Sequence, residues 1–246
     1  MTNQDQLPRS IRGLLDSPYA RYLDLETIFD IQVAERGDTE IHHPEEVLFR
    51  SVHMSSELWL RLAGYETERA RAALDAGHVP PALRLARRVG MSVERVIEAT
   101  SMLATMPAAE YHMFRVHLGN ASGLQSPGYA YLRRECKALA GSLDRVIPDE
   151  DQLFALYTTG RSDPLYDLCE ALLDLDATLD RFRTLHLQIA ERFLGESTQG
   201  TGGSEGIGYL RRNVGHRLFP RLWALRERIA SSAGAVPYGY GTPAGT

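Results

Sequence analysis

Cysteine is scarce: Cys136 and Cys169 are the only two in 246 residues, with neither CxxC spacing nor the density of a disulfide framework. Both read as buried free thiols of a reducing compartment. No apolar stretch approaches the roughly 18 residues that a membrane span needs. The segment Met1 to Ser10 is polar with no apolar run behind it, so no secretory signal is read there and the cytoplasm is the expected compartment. A basic excess is missing too. The 27 Lys and Arg face 32 Asp and Glu, a net charge of -5, which leaves no footprint for nucleic acid or an anionic membrane surface. There is no HExxH, no EF-hand loop and no GxSxG, so those metal sites and a hydrolase elbow are set aside. Strict apolar–polar alternation between turn residues is also absent, which excludes a sheet.

What remains is an ordinary globular composition, 43% hydrophobic and 24% charged, in a chain long enough for one sizeable core. The punctuation marks helices. Asp163-Pro164 and Ser126-Pro127 each set a capping residue before a proline at the first helical position, and Pro44-Glu45-Glu46 opens a helix with acidic residues where the dipole favours them. From Leu165 to Gly195 the residues Leu165, Leu168, Leu172, Leu175, Leu179, Phe182, His186, Ile189 and Phe193 step by three and four, a single buried stripe ended by a glycine. Glu46 to about Ala76, Val93 to Met106 and Tyr129 to Leu143 are also helical by pattern. The expected fold is all-α, seven or eight helices in a single domain spanning 1–246, with an N-terminal arm over 1–32. The Gly-, Ala- and Pro-rich stretch 231–246 reads as a poorly ordered tail.

His186 interrupts an otherwise apolar stripe. A buried imidazole must satisfy its ring nitrogens, so it is either a core histidine bonded to a neighbouring helix or a ligand that presents one nitrogen to a metal such as haem iron. His53 follows Phe49 by four residues and shares its helix face, which Ser56 and Leu60 continue. It is a pocket residue or a half-buried helical histidine. Tyr111 and Arg115 repeat that spacing, and a phenol and a guanidinium converging on one face suit a carboxylate. An arginine stacked beside a tyrosine at the surface has the same spacing. Gly200-Thr201-Gly202-Gly203-Ser204-Glu205-Gly206 is neither a Walker loop nor a GxGxxG turn after a strand, so a nucleotide cradle is excluded. It is a connector, or a loop whose backbone approaches a ligand with Thr201 and Ser204 as hydroxyl donors. His42 and His43 before Pro44 read as loop residues, and His78, His112, His117 and His216 as scattered.

These pieces stand in an order that resembles a known family. LFRSVHMSSELWLRL (Leu48 to Leu62) is similar to the distal-histidine helix of the tryptophan 2,3-dioxygenases. LATMPAAEYHMFRVHLGNASGLQS (Leu103 to Ser126) is similar to their carboxylate-binding helix and SGxQS turn. RFRTLHLQIAERFLG with GTGGSEGIGYL (Arg181 to Leu210) resembles their proximal-histidine helix and GTGG loop, and SPYARYLDLETIFDIQ (Ser17 to Gln32) their N-terminal arm. The resemblance covers most of residues 17 to 226. It implies a helical bundle enclosing a b-type haem, with His186 as the axial iron ligand, Ser122 and Gly123 lining the pocket beside it, and His53 on the distal side facing the indole N–H. It implies that Arg115 and Tyr111, helped by Thr201, hold the substrate carboxylate while Phe49 packs on the indole. Tyr19, Tyr22 and Leu23 would close the site of a neighbouring subunit in a homotetramer. Dioxygen would be the co-substrate.

The chain departs from the family at Thr100, where a tryptophan is usual, at Leu124, where phenylalanine is common, and in a loop one residue longer before GTGG. Such drift suits a member of secondary metabolism. Three functions therefore stand side by side: a dioxygenase that opens the indole of tryptophan or a modified tryptophan to an N-formylkynurenine-type product, a haem monooxygenase of the same fold giving a hydroxylated or oxindole product, and a non-catalytic haem-binding protein. The third has no use for an amino-acid carboxylate clamp.

Overall fold

The computed structural model describes residues 15–32, 41–195 and 206–234. Among them are ten α-helices, three short 3-10 turns and no strand. The helices are α1 (Pro18–Leu23), α2 (Leu25–Gln32), α3 (Pro44–Asp75), α4 (Val79–Ser101), α5 (Ala108–Arg115), α6 (Pro127–Val146), α7 (Glu150–Thr158), α8 (Pro164–Leu194), α9 (Ile207–Asn213) and α10 (Pro220–Gly234). The all-α expectation holds. None of these helices is long and apolar enough to cross a membrane.

The capping reading holds at both ends of α8. Asp163 accepts the N–H of Leu165 at 2.8 Å to start α8, and Gly195, at φ +65°, ends it by donating to the Glu191 carbonyl at 3.0 Å. Within α8, Leu168, Leu172, Leu175 and Leu179 are at most 1% exposed, while Leu165, Phe182 and His186 of the same stripe are half-buried. Each fully buried leucine stabilises the fold by about 1.5–3 kcal/mol relative to exposure.

Two boundaries move. The helix expected from Val93 begins at Val79, because Pro80 and Pro81 fall in its first turn, where a missing N–H costs nothing. Its far end gives way at Met102 to a 3-10 turn, Met102–Thr105. Residues 231–234, expected to belong to a loose tail, instead complete α10; the rest of that segment lies outside the described residues. The described part of the arm, residues 15–32, holds two helices broken at Asp24, whose φ of 52° places it in the left-handed region and caps α1.

The chain forms two compact units. The first comprises Met1–Trp59, Arg95–Ser126 and Phe182–Val214, and it contains every candidate site residue among the described ones. Its core joins Val52, Leu103, Met106, Tyr111, Phe114, Ile189 and Phe193, with Phe49 and Leu185 packed against them. The second comprises Leu60–Glu94, Pro127–Arg181 and Gly215–Thr246. There the buried Asp176 carboxylate accepts the N–H groups of Leu218 (2.8 Å) and Phe219 (2.9 Å) and the Trp223 indole N–H (3.1 Å), which fixes the start of α10. Gly64 is obligatory in this unit, since a Cβ would stand 2.5 Å from the Tyr131 ring.

Candidate functional site

Helix α3 supplies Phe49 and His53 to the first unit. Their rings lie 4.1 Å apart, and Phe49 meets Tyr111 at 6.0 Å and Phe114 at 5.5 Å. The His53 Nδ1 is 2.6 Å from the Phe49 carbonyl. A carbonyl only accepts, so Nδ1 carries the proton and donates it. Burial lowers the His53 pKa below its ordinary 6.5, against the opposing pull of that backbone bond and of Glu57. The imidazole is therefore neutral at pH 7, and its Nε2 is an acceptor.

His186 stands on α8 with Phe182 one turn earlier, the two rings parallel at 5.9 Å. Part of the residue faces open space, yet enough protein surrounds the ring to lower its pKa to about 4, mainly by burial and secondarily by repulsion from His53. No hydrogen bond of the His186 ring is formed among the described residues.

Gly123 closes on the same histidine. The turn Gly123–Gln125 is a capping box: the Ser122 hydroxyl accepts the Leu124 N–H at 3.3 Å, and the Gln125 side chain accepts the Ser122 N–H at 3.1 Å. So held, Gly123 presents its Cα to His186. A Cβ there would lie 3.8 Å from Cε1 and 4.0 Å from Nε2, so glycine keeps the space beside that nitrogen open.

Arg115 and Tyr111 occupy α5 at i and i+4, and the guanidinium hydrogen-bonds the phenol. Burial raises the Tyr111 pKa, and the Arg115 charge and bond offset part of the rise. The Tyr111 ring stacks on Phe193 of α8 at 4.8 Å and 17°. Two polar atoms of α3, Arg50 Nη1 and Ser56 Oγ, are buried with no hydrogen-bond partner among the described residues, one turn to either side of His53. A wall with open donors suits a bound polar group.

Phe49, His53, Tyr111, Arg115, Ser122, Gly123 and His186 thus come together in one unit. Thr201 and its loop lie outside the described residues. Tyr19 and Tyr22 are 69% and 87% exposed, and Leu23 is exposed beside them; α2 is tied to α3 by a Gln32–Ser51 hydrogen bond of 2.6 Å. Sequence reading passed over two residues. Arg183, one turn before His186, is 6% exposed, an unusual depth for arginine that its charge alone concealed. His112 donates through Nε2 to the Phe193 carbonyl at 2.9 Å, a partner 81 residues away that no local pattern announces.

The residues fit a haem. A neutral imidazole with no hydrogen bond among the described residues, a glycine-lined space at its Nε2 and a second neutral imidazole in the same unit make up the donor set a histidine-ligated iron requires.

The family model for tryptophan 2,3-dioxygenase matches residues 6–144 and 152–229. A tryptophan 2,3-dioxygenase of Pseudomonas fluorescens Pf-5 is 32% identical, covering 86% of this chain and 91% of its own length. The one from Erythrobacter litoralis is 30% identical over 87% of this chain and 99% of its own. A Burkholderia pseudomallei relative of the same name is 32% identical over 86% and 84%. Fold and comparisons together define an all-helical oxidoreductase. The chain belongs to the tryptophan 2,3-dioxygenase family.

Proposed function

We propose that this protein is a haem-dependent dioxygenase that inserts both atoms of O2 into the indole ring of L-tryptophan, or of a modified tryptophan, to give an N-formylkynurenine-type product. The observation that carries this reading is the His53 tautomer: its Nδ1–H is committed to the Phe49 carbonyl, which leaves Nε2 to accept an indole N–H. His186 would hold the haem, with Ser122 and Gly123 beside it. When bound, the haem would supply the redox chemistry with dioxygen that side chains lack. The chain's own residues do the rest. Arg115 and Tyr111 bind the substrate carboxylate, Phe49 packs on the indole, and Thr201 adds a hydroxyl from its loop. The exposure of Tyr19, Tyr22 and Leu23 supports a homotetramer in which each arm covers a neighbour's site. The cytoplasm is the proposed compartment.

Turnover of the haem-loaded protein with tryptophan under 18O2 is expected to give a product with two labelled oxygen atoms. One labelled atom would make the enzyme a monooxygenase of the same fold. No product from tryptophan or ring-modified tryptophans would leave a haem-binding protein.

The role of His53 is positional. An indole N–H is a very weak acid, and an imidazole whose pKa lies below the ordinary 6.5 is a poor base for it. A positioning hydrogen bond contributes about 0.5–1.5 kcal/mol, up to about tenfold, whereas general-base catalysis contributes about a hundredfold or more. His53→Ala is therefore expected to keep measurable turnover and to bind tryptophan up to about tenfold more weakly. An inactive variant with normal haem content and normal substrate affinity would restore a proton-transfer role.

A further inference from the structure

Helix α5 has eight residues, too few to be stable alone, so its orientation is set by what it touches. Two consecutive residues of α5 touch the same residue of α8. The Tyr111 ring lies on the Phe193 ring at 4.8 Å, and the His112 Nε2–H donates to the Phe193 carbonyl at 2.9 Å. That carbonyl is among the last four of α8 (Pro164–Leu194), which have no partner within their own helix. An aromatic stack alone lets a helix roll about the contact. A second anchor about 100° further round the axis, one residue on, removes that freedom.

We infer that His112 is a positioning residue for carboxylate recognition: its bond to Phe193 sets the rotation of α5 and so aims the Tyr111–Arg115 pair. The inference rests on the clamp proposed above. Arg115 is three residues beyond His112 and four beyond Tyr111, so all three turn together. Because the acceptor is a carbonyl, Nε2 must carry a proton, and the bond survives whether the ring is neutral or charged. His112 is itself exposed and has no place in the shared apolar core, so its replacement leaves Tyr111, Phe114 and Phe193 packed.

The test uses the haem-loaded full chain with two variants, His112→Phe, which keeps a ring beside Tyr111 without a donor, and His112→Gln, which keeps a donor. Affinities for tryptophan and for tryptamine, which lacks the carboxylate, are read from the haem absorbance change. His112→Phe is expected to raise the dissociation constant and KM for tryptophan about threefold to tenfold, the range for one lost hydrogen bond. Saturated kcat and tryptamine affinity should stay near wild type, and His112→Gln should recover most of the loss. Arg115→Leu is measured alongside. If Arg115→Leu leaves the preference for tryptophan over tryptamine intact, the clamp itself is wrong. If Arg115→Leu abolishes that preference and His112→Phe leaves it unchanged, the inference about His112 alone is overturned. It is equally overturned if both ligands weaken together, or if His112→Gln is as impaired as His112→Phe.

Discussion

His186→Ala is expected to yield a helical protein that no longer retains haem. The imidazole interrupts the apolar stripe of α8 between Phe182 and Ile189, and its neutral, half-buried ring makes no hydrogen bond among the described residues. A neutral ring nitrogen that no described residue engages is available to a bound group. Removing an outer partner of a metal ligand costs about 10–100-fold in metal affinity, and if His186 holds the haem as proposed, its removal should exceed that. Alanine is the strongest helix former and His186 is only half-buried, so α8 should persist. Haem titration followed at the Soret band, with far-ultraviolet circular dichroism as the control for folding, separates the two effects. Free imidazole added to the variant should restore part of the haem binding by entering the space the side chain vacates. An unchanged haem spectrum in His186→Ala would remove this residue from the iron.

The long elements were legible because their signals are local. The stripe of α8 needs only a count of threes and fours, and its two ends carry an Asp-Pro start and a glycine stop that the structure realises as hydrogen bonds. The Ser122–Gln125 capping box, by contrast, entered the sequence reading only as the SGxQS turn of a family resemblance. What the string of letters could not carry is where that turn faces. Gly123 reads as turn chemistry, and only the fold turns it into the residue that keeps space at the His186 nitrogen. The start of α4 was hidden because Pro80 and Pro81 look like a break when they are in fact a first turn. Helices α7, α9 and α10 are short or carry weak periodicity, and they take their shape from tertiary partners such as Asp176 at the start of α10. His112 illustrates the limit most sharply. Flanked by Tyr111 and Met113 it reads as a scattered histidine, yet its acceptor sits at the end of another helix.

Arg115→Leu should produce the largest loss of substrate affinity among the pocket variants. The guanidinium is half-buried, is joined to the Tyr111 phenol, and rides on a helix held to α8 through Phe193. A carboxylate docked there would meet a charged donor and a neutral one, since burial keeps the Tyr111 proton in place. Truncating one partner of a buried charge pair costs about 2–5 kcal/mol, and the partial exposure of Arg115 favours the lower half of that range. Two kcal/mol already corresponds to a roughly thirtyfold weaker dissociation constant. Tyr111→Phe removes one neutral bond and should cost about 0.5–1.5 kcal/mol, so the two variants differ in size as well as in kind. Tryptamine offers no carboxylate to the clamp. It should bind the unaltered enzyme poorly and lose little further affinity in Arg115→Leu. Equal binding of tryptophan and tryptamine by the unaltered enzyme would show that the carboxylate is not what α5 recognises, and Arg115 would then be a surface arginine stacked beside a tyrosine.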